Sequence, residues 1–140
     1  MKYDYDAIVI GGGAAGLTAA KTIKGFGKTV ALLEQTDRLD GECTWTGCIP
    51  SKTLINTARN IHTAQHLSKY GLHNSSCTFN TDKVMHFVRE TIKKDYQSHT
   101  PEVLEQEGIM VRFGKVTFID NHTAEQDGER ITFKHAFITT

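Results

Sequence analysis

The sequence predicts an α/β fold, a parallel sheet with flanking helices followed by a C-terminal β-hairpin or meander. Three observations predict it. Residues 5–34 read as a β-α-β unit, helical periodicity marks residues 49 to about 69 and about 82 to 98, and Asp127-Gly128 lies as a two-residue turn between TAEQ and ERITF. In the first unit YDAIVI (5–10) is a continuous apolar run suited to a strand buried on both faces. Residues 14–26 are rich in Ala, Leu and Lys, and TVALLE (29–34) repeats the buried-strand pattern. Residues 49 to about 69 read as a helix with Pro50 in its first turn, Leu54, Ile55, Ala58 and Ile61 on one face, and Gly71 as its stop. A second helix is expected from about Asp82 to Ser98, with Val84, Phe87, Val88 and Ile92 turned inward and Glu90 paired to Lys94 outside. Thr100-Pro101 opens a short further turn that stops at Gly108, and strand patterns follow from Ile109.

A chain of 140 residues can bury roughly two thirds of its unfolded surface and needs no covalent staple to fold. No repeat, low-complexity stretch or linker divides it, so residues 1–140 are expected to form one domain. Sixteen Lys and Arg balance sixteen Asp and Glu without a dense basic run, which argues against nucleic acid or an anionic membrane as partner and favours a small molecule. The longest apolar stretch, AIVIGGGAAGLTAA, is broken by glycine and preceded by Asp4 and Asp6, unlike a secretory leader or a membrane span. The expected compartment is the cytoplasm, where paired cysteines are more often catalytic or metal-binding than structural.

GGGAAG (11–16) matches G-x-G-x-x-G through Gly11, Gly13 and Gly16. Glycines alone also fit an ordinary turn. Here they follow a strand and open a helix, whose N-terminal amides and dipole receive a pyrophosphate. Gly11 permits the tight turn, Gly13 the approach of phosphate to the backbone, and Gly16 close packing of helix on strand. Glu34 ends the second strand 18 residues after Gly16, where a carboxylate binds ribose hydroxyls; its alternative is a solvated strand-end charge. The motif indicates an adenine dinucleotide without choosing between FAD and NAD.

GECTWTGCIPSK (41–52) holds two of the three cysteines, separated by four residues. They could form a redox disulfide, contribute half of a zinc site with His62 and His66, or be unrelated thiols. Zinc is disfavoured because His62 lies 14 residues beyond Cys48, about 21 Å along a helix, and the two histidines read as ordinary helix-surface residues. For a disulfide, cysteines five apart in a regular helix have Cα atoms about 8.6 Å apart, beyond the roughly 4.4–6.8 Å of a bridge. The segment therefore cannot be plain helix if it bridges. Cys43 is expected on a loop or distorted turn, Gly47 supplies backbone freedom, and Cys48 stands near a helix start where the dipole and Lys52 favour a thiolate.

The glycine turn, the acidic end of the second strand and C-x4-C-I-P-S-K together resemble the pyridine nucleotide-disulfide oxidoreductases, the flavin-dependent family of dihydrolipoamide dehydrogenase, glutathione reductase and mercuric reductase. The resemblance covers the whole chain. It implies a Rossmann-like FAD- and NAD(P)-binding fold, with FAD pyrophosphate on Gly11, Gly13, Ala14, Ala15 and Gly16, adenosine ribose on Glu34, and further cofactor contacts from Gly41 and Glu42. Cys43 would be the outer thiol that exchanges with substrate, Cys48 the inner charge-transfer thiol beside the flavin, and Lys52 a neighbour of flavin N5. Cys43 and Cys48 would pair when oxidised, leaving Cys77, in a Ser/Asn-rich loop, free. The implied enzyme passes electrons between NAD(P)H, FAD and the dithiol to a small-molecule or protein disulfide, as a cytoplasmic homodimer without a resident metal.

Members of the family are roughly three times this length, so the chain is expected to be an N-terminal portion. It carries no second G-x-G-x-x-G and no histidine in the context of the family's acid/base residue. It also departs from the family at Asp40, where glycine is usual; Asp tolerates a left-handed backbone, yet Asp40 and Glu42 add negative charge near an anionic cofactor. The competing functional reading is a non-catalytic dinucleotide-binding module with a structural or regulatory disulfide.

Overall fold

The computed structural model describes residues 2–73 and 77–140. They gather into two compact units, one of residues 1–41 with 97–140 and the other of Glu42–Tyr96.

The first unit is built on six strands: β1 (Tyr5–Ile10), β2 (Val30–Glu34), β3 (Met110–Phe113), β4 (Val116–Asp120), β5 (Thr123–Gln126) and β6 (Glu129–Ile138). Their spatial order is β3-β2-β1-β6-β5-β4. β1 pairs in parallel with β2, β2 with β3, and β1 with the second half of β6, from Tyr5↔Phe133 to Ile10↔Ile138. The first half of β6 instead pairs antiparallel with β5, which pairs antiparallel with β4. The parallel sheet and the C-terminal meander expected from sequence are thus one sheet, joined through β6. Apolar runs account for its centre: every residue of β2 is buried, as are Ile8, Val9, Ala124, Ile131 and Phe133. Helix α1 (Ala14–Gly25) lays Leu17 and Ala20 into the core.

Asp127 (φ 51°) and Gly128 (φ 83°) both take left-handed backbone between β5 and β6, the two-residue turn the sequence calls for. Two aspartates fasten strand starts. Asp4 Oδ2 accepts the Thr132 amide (2.8 Å) and hydroxyl (2.6 Å), and Asp6 Oδ2 accepts the Thr29 amide (2.9 Å) and hydroxyl (3.1 Å).

The second unit contains α3 (Cys48–Gln65), a 3-10 turn (Leu67–Tyr70) and α4 (Thr81–Tyr96); α2 (Gly41–Trp45) leads into it, and α5 (Pro101–Gln106) belongs to the first unit. α3 ends at Gln65, short of the expected limit near residue 69, and Gly71 (φ 74°) stops the 3-10 turn that follows rather than the helix itself; Thr100 caps α5 ahead of Pro101, where the sequence places the start of a turn. The apolar faces differ from expectation. α3 buries none of its residues, leaving Leu54 39% and Ile55 51% exposed; on α4 only Val88 is buried and Phe87 is 54% exposed. Within this unit each helix has only the other long helix to pack on, and a single helix-helix contact covers a strip narrower than either stripe. Glu90 pairs with Lys93 at 2.9 Å rather than with Lys94, because i+3 and i+4 both lie beside it on a helix. The Ser/Asn-rich residues 74–76 lie outside the described residues, whereas Cys77 is described and half-buried.

Candidate functional site

The three motif glycines between β1 and α1 meet different surroundings. Gly11 has φ 104°, and a Cβ there would lie 2.9 Å from the Thr139 carbonyl oxygen. Gly16 leaves no room, since its Cβ would fall 1.8 Å from the Gly11 carbonyl oxygen. Gly13 is the extended N-cap of α1, and a Cβ there would meet nothing within 4 Å. No side chain caps α1, and its first turn holds no acidic residue. The amides of Ala14, Ala15 and Gly16 have no acceptor inside the helix and carry the positive end of its dipole. An anion fits such an end.

Around this turn the first unit adds carboxylates whose charge is already met. Glu34 is 8% exposed; its Oε2 accepts the Gly12 amide at 2.6 Å and its Oε1 accepts the Thr36 amide (2.8 Å) and hydroxyl (2.9 Å). Burial alone would raise its carboxyl, but hydrogen bonds from Thr36, Gly12 and the Gln35 amide outweigh burial and hold it below the usual carboxylate range. Glu34 is therefore no solvated strand-end charge. Asp40, 4% exposed, does adopt the left-handed backbone (φ 74°) that glycine would supply; its amide donates to the Gly12 carbonyl (2.8 Å) and its Oδ2 accepts from His99 Nδ1 (3.1 Å). Gly41 follows at φ 53°, with room for a Cβ only 3.2 Å from Gly13 Cα.

Sequence reasoning missed two contributors here. The Thr139 hydroxyl sits 2.9 Å from the Ile10 carbonyl and 3.0 Å from that of Gly11, bracing the turn from the end of β6. No local signal marks Thr139, because its place depends on β6 lying beside β1. His99 carried no motif either; only Asp40 in a position that wants glycine hinted that a partner was needed.

The cysteines lie in the second unit. Cys43, expected on a loop or distorted turn, is in the short helical turn α2, and Cys48 opens α3 with Pro50 two residues on. Gly47 joins the turns: its amide reaches back to the Glu42 carbonyl at 2.7 Å, and Thr46 donates to the same oxygen at 3.0 Å. A Cβ on Gly47 would stand 2.9 Å from that oxygen and 3.4 Å from Cys43 Cα. The break in the helix brings the two half-buried cysteines within reach of each other. The hydrogen bond to the Cys48 side chain, then burial, then the charge of Cys48 push the Cys43 thiol up, against smaller opposing effects of the Cys48 amide and Lys52.

The residues between the cysteines are anchored too. Thr44, 5% exposed, donates to Asp95 Oδ2 at 3.3 Å; the Trp45 ring lies 5.0 Å from that of Tyr96; and the Thr46 hydroxyl bonds the Glu42 carboxylate. Lys52, one turn along α3, is exposed.

Comparison with known proteins accords with both halves of this description. Residues 5–140 match the family description "Pyridine nucleotide-disulphide oxidoreductase". Glutathione reductase of Nostoc sp. is 32% identical over 93% of this chain and 28% of its own length. Mercuric reductase of Bacillus cereus is 28% identical over 99% and 22%, and dihydrolipoyl dehydrogenase of Buchnera aphidicola 31% identical over 96% and 29%. Among solved structures, the HOCl-induced flavoprotein disulfide reductase RclA from Escherichia coli superposes with a TM-score of 0.72 at 30% identity, covering 97% of this chain and 28% of that one. The chain thus spans between a fifth and a third of the length of these relatives. A match that starts at β1 and runs through β6 takes in both the glycine turn and the cysteine pair, and the chain belongs to the pyridine nucleotide-disulphide oxidoreductase family.

Proposed function

We propose that the chain is the FAD-binding and dithiol part of a flavin-dependent NAD(P)H-disulfide oxidoreductase. The observation that carries this reading is the contact of Cys43 with Cys48 across a turn closed by Gly47. Two thiols held together in a chain with a folded core of its own serve exchange chemistry better than stapling, since so short a loop adds little stability.

The residues fit the cofactor. Open space at Gly13 and the uncapped amides of Ala14, Ala15 and Gly16 suit a pyrophosphate, and a carboxylate oxygen such as Glu34 Oε2 has a second lone pair for a ribose hydroxyl. Bound FAD supplies the two-electron link between nicotinamide and the dithiol. By the family resemblance, Gly41, Glu42 and Lys52 would add further contacts to FAD.

Cys43, once its proton is removed, attacks one sulfur of the substrate disulfide; a mixed disulfide forms and the first substrate thiol leaves with a proton. Cys48 thiolate then attacks Cys43 Sγ, which closes the Cys43–Cys48 disulfide and releases the second thiol. Two electrons pass from the dithiol to the substrate, a small-molecule or protein disulfide, and NAD(P)H restores them. The enzyme works in the cytoplasm as a homodimer.

The test is peptide mapping of the purified protein without reductant, together with the spectrum of any chromophore freed on denaturation. A Cys43–Cys48 link with Cys77 free, and released FAD, are the expected results. A colourless protein that cannot be reconstituted with FAD, or thiols carrying stoichiometric zinc, would overturn the reading. Disulfide turnover unchanged by Cys43→Ser and Cys48→Ser would leave a structural dithiol instead.

A further inference from the structure

We infer that His62 and His66 form a bidentate surface site for a late first-row divalent ion of the Cu2+ or Ni2+ class. Both side chains are exposed near the end of α3, one helical turn apart, with ring centroids 4.1 Å apart and planes inclined by 30°. His66 is the C-cap of α3, just past its last helical residue, and the stacked contact of the two rings shows that both imidazoles lie on one side of the helix end and can meet one ion together.

The hydrogen bonding of one ring strengthens the case. His66 Nδ1 lies 2.7 Å from the His62 carbonyl oxygen. A carbonyl only accepts, so Nδ1 carries the proton and Nε2 of neutral His66 keeps its lone pair. Metal-bound histidines are oriented in this way, the second ring nitrogen donating to a backbone carbonyl that fixes tautomer and ring direction. An ion at about 2.0–2.1 Å from two cis nitrogens needs them roughly 3 Å apart. Rings already stacked at 4.1 Å reach that by small rotations about their exposed χ angles.

The chemistry selects the ion. Imidazole nitrogen suits Cu2+, Ni2+ and Zn2+, affinity rises along the series to Cu2+, and two cis nitrogens with water in the remaining positions match the tetragonal preference of Cu2+. A hard ion such as Mg2+ gains nothing from these donors.

The experiment titrates the folded protein with Cu2+ alone, after alkylating Cys43, Cys48 and Cys77 so that no thiol competes, and follows heat and the electron paramagnetic spectrum. The expected result is one tight ion with hyperfine structure from two nitrogens. His62→Gln and His66→Gln should each weaken it at least tenfold. His66→Gln/Thr63→His restores the number of histidines but puts the rings on adjacent residues that diverge around the helix; it should bind as weakly as His66→Gln. All three changes sit at exposed positions, so the fold survives them. Unchanged affinity in the His62→Gln/His66→Gln double variant, or recovery of wild-type affinity by the Thr63→His variant, would overturn the assignment.

Discussion

Gly47→Ala should open the turn that holds the two thiols together. The new methyl would lie 2.9 Å from the Glu42 carbonyl oxygen and 3.4 Å from Cys43 Cα, both backbone atoms that no side-chain rotation can move aside. Relief requires the start of α3 to move away from α2 by a few tenths of an ångström, stretching the 2.7 Å bond from the Gly47 amide to Glu42. Overpacking of this kind costs about 1–3 kcal/mol, and a backbone hydrogen bond weakened with it belongs to the same range. For a chain of this size that is a melting temperature lower by about 3–12 °C. The same displacement separates Cys43 from Cys48. A bridge needs Cα atoms within about 6.8 Å, whereas two free thiols have no such requirement, so the strain falls mostly on the disulfide. If all of it does, the dithiol potential rises by about 20–65 mV, since 30 mV corresponds to roughly 1.4 kcal/mol for two electrons. Equilibration against graded glutathione buffers, with acid quenching and counting of free Cys43, reads the shift. An alanine variant with unchanged melting temperature and unchanged potential would refute the steric reasoning.

Three other perturbations separate effects that the structure holds apart. Cys48→Ala removes the first and third causes that raise Cys43; Cys43 should then react with iodoacetamide several-fold faster at pH 8, with its rate profile shifted to lower pH, and an unmoved profile would contradict the hydrogen bond. Gly16→Ala, whose Cβ would collide with the Gly11 carbonyl at 1.8 Å, should unfold the first unit, while Gly13→Ala, whose Cβ meets nothing, should leave circular dichroism and melting intact yet weaken FAD in the reconstituted protein; equal damage from both would count against an open anion site at Gly13. Asp4 is held below its ordinary value of 3.8 by the Thr132 hydroxyl and amide, and Asp6 by the Thr29 amide and hydroxyl. A carboxyl depressed in the folded state stabilises above its unfolded pKa, and that contribution fades as pH falls through the folded value. Asp4→Asn and Asp6→Asn should lower the urea midpoint at pH 7 but cease to differ from the parent well below pH 3.8, and a difference that persisted there would show that charge is not the cause.

How much of this was legible in the sequence follows the range of each interaction. β1, α1 and β2 are set by residues within 30 positions of each other, and their apolar runs and glycines announced them with nearly correct limits. Thr100-Pro101 and Asp127-Gly128 are shorter still and were equally plain. The neighbour of β1 was not, because Tyr5 pairs with Phe133 across most of the chain and neither strand names its partner. The helix faces failed for a related reason: period 3.6 tells which residues of one helix share a side, Leu54 with Ala58 and Ile61 on α3 and Phe87 with Val84 on α4, but not whether anything lies against that side.

At the site the same division holds atom by atom. A spacing of five residues already ruled out a continuous helix for a bridging pair, and the structure meets it by ending α2 at Trp45 and starting α3 at Cys48. Asp40 in place of glycine foretold a left-handed residue, but its reach to His99 joins positions 59 apart that no motif links. That reach changes the electrostatic argument. Read from sequence, Asp40 is a negative charge beside an anionic cofactor; in the folded unit both Asp40 and Glu34 are buried and hydrogen-bonded, Glu34 to Gly12, Thr36 and Gln35 and Asp40 to His99. Donors aimed at a carboxylate offset its field at short range, so the repulsion expected from formal charges at the mouth of α1 is reduced. The carboxylates then brace the glycine turn, and the uncapped end of α1 keeps the positive potential on which the proposed pyrophosphate binding depends.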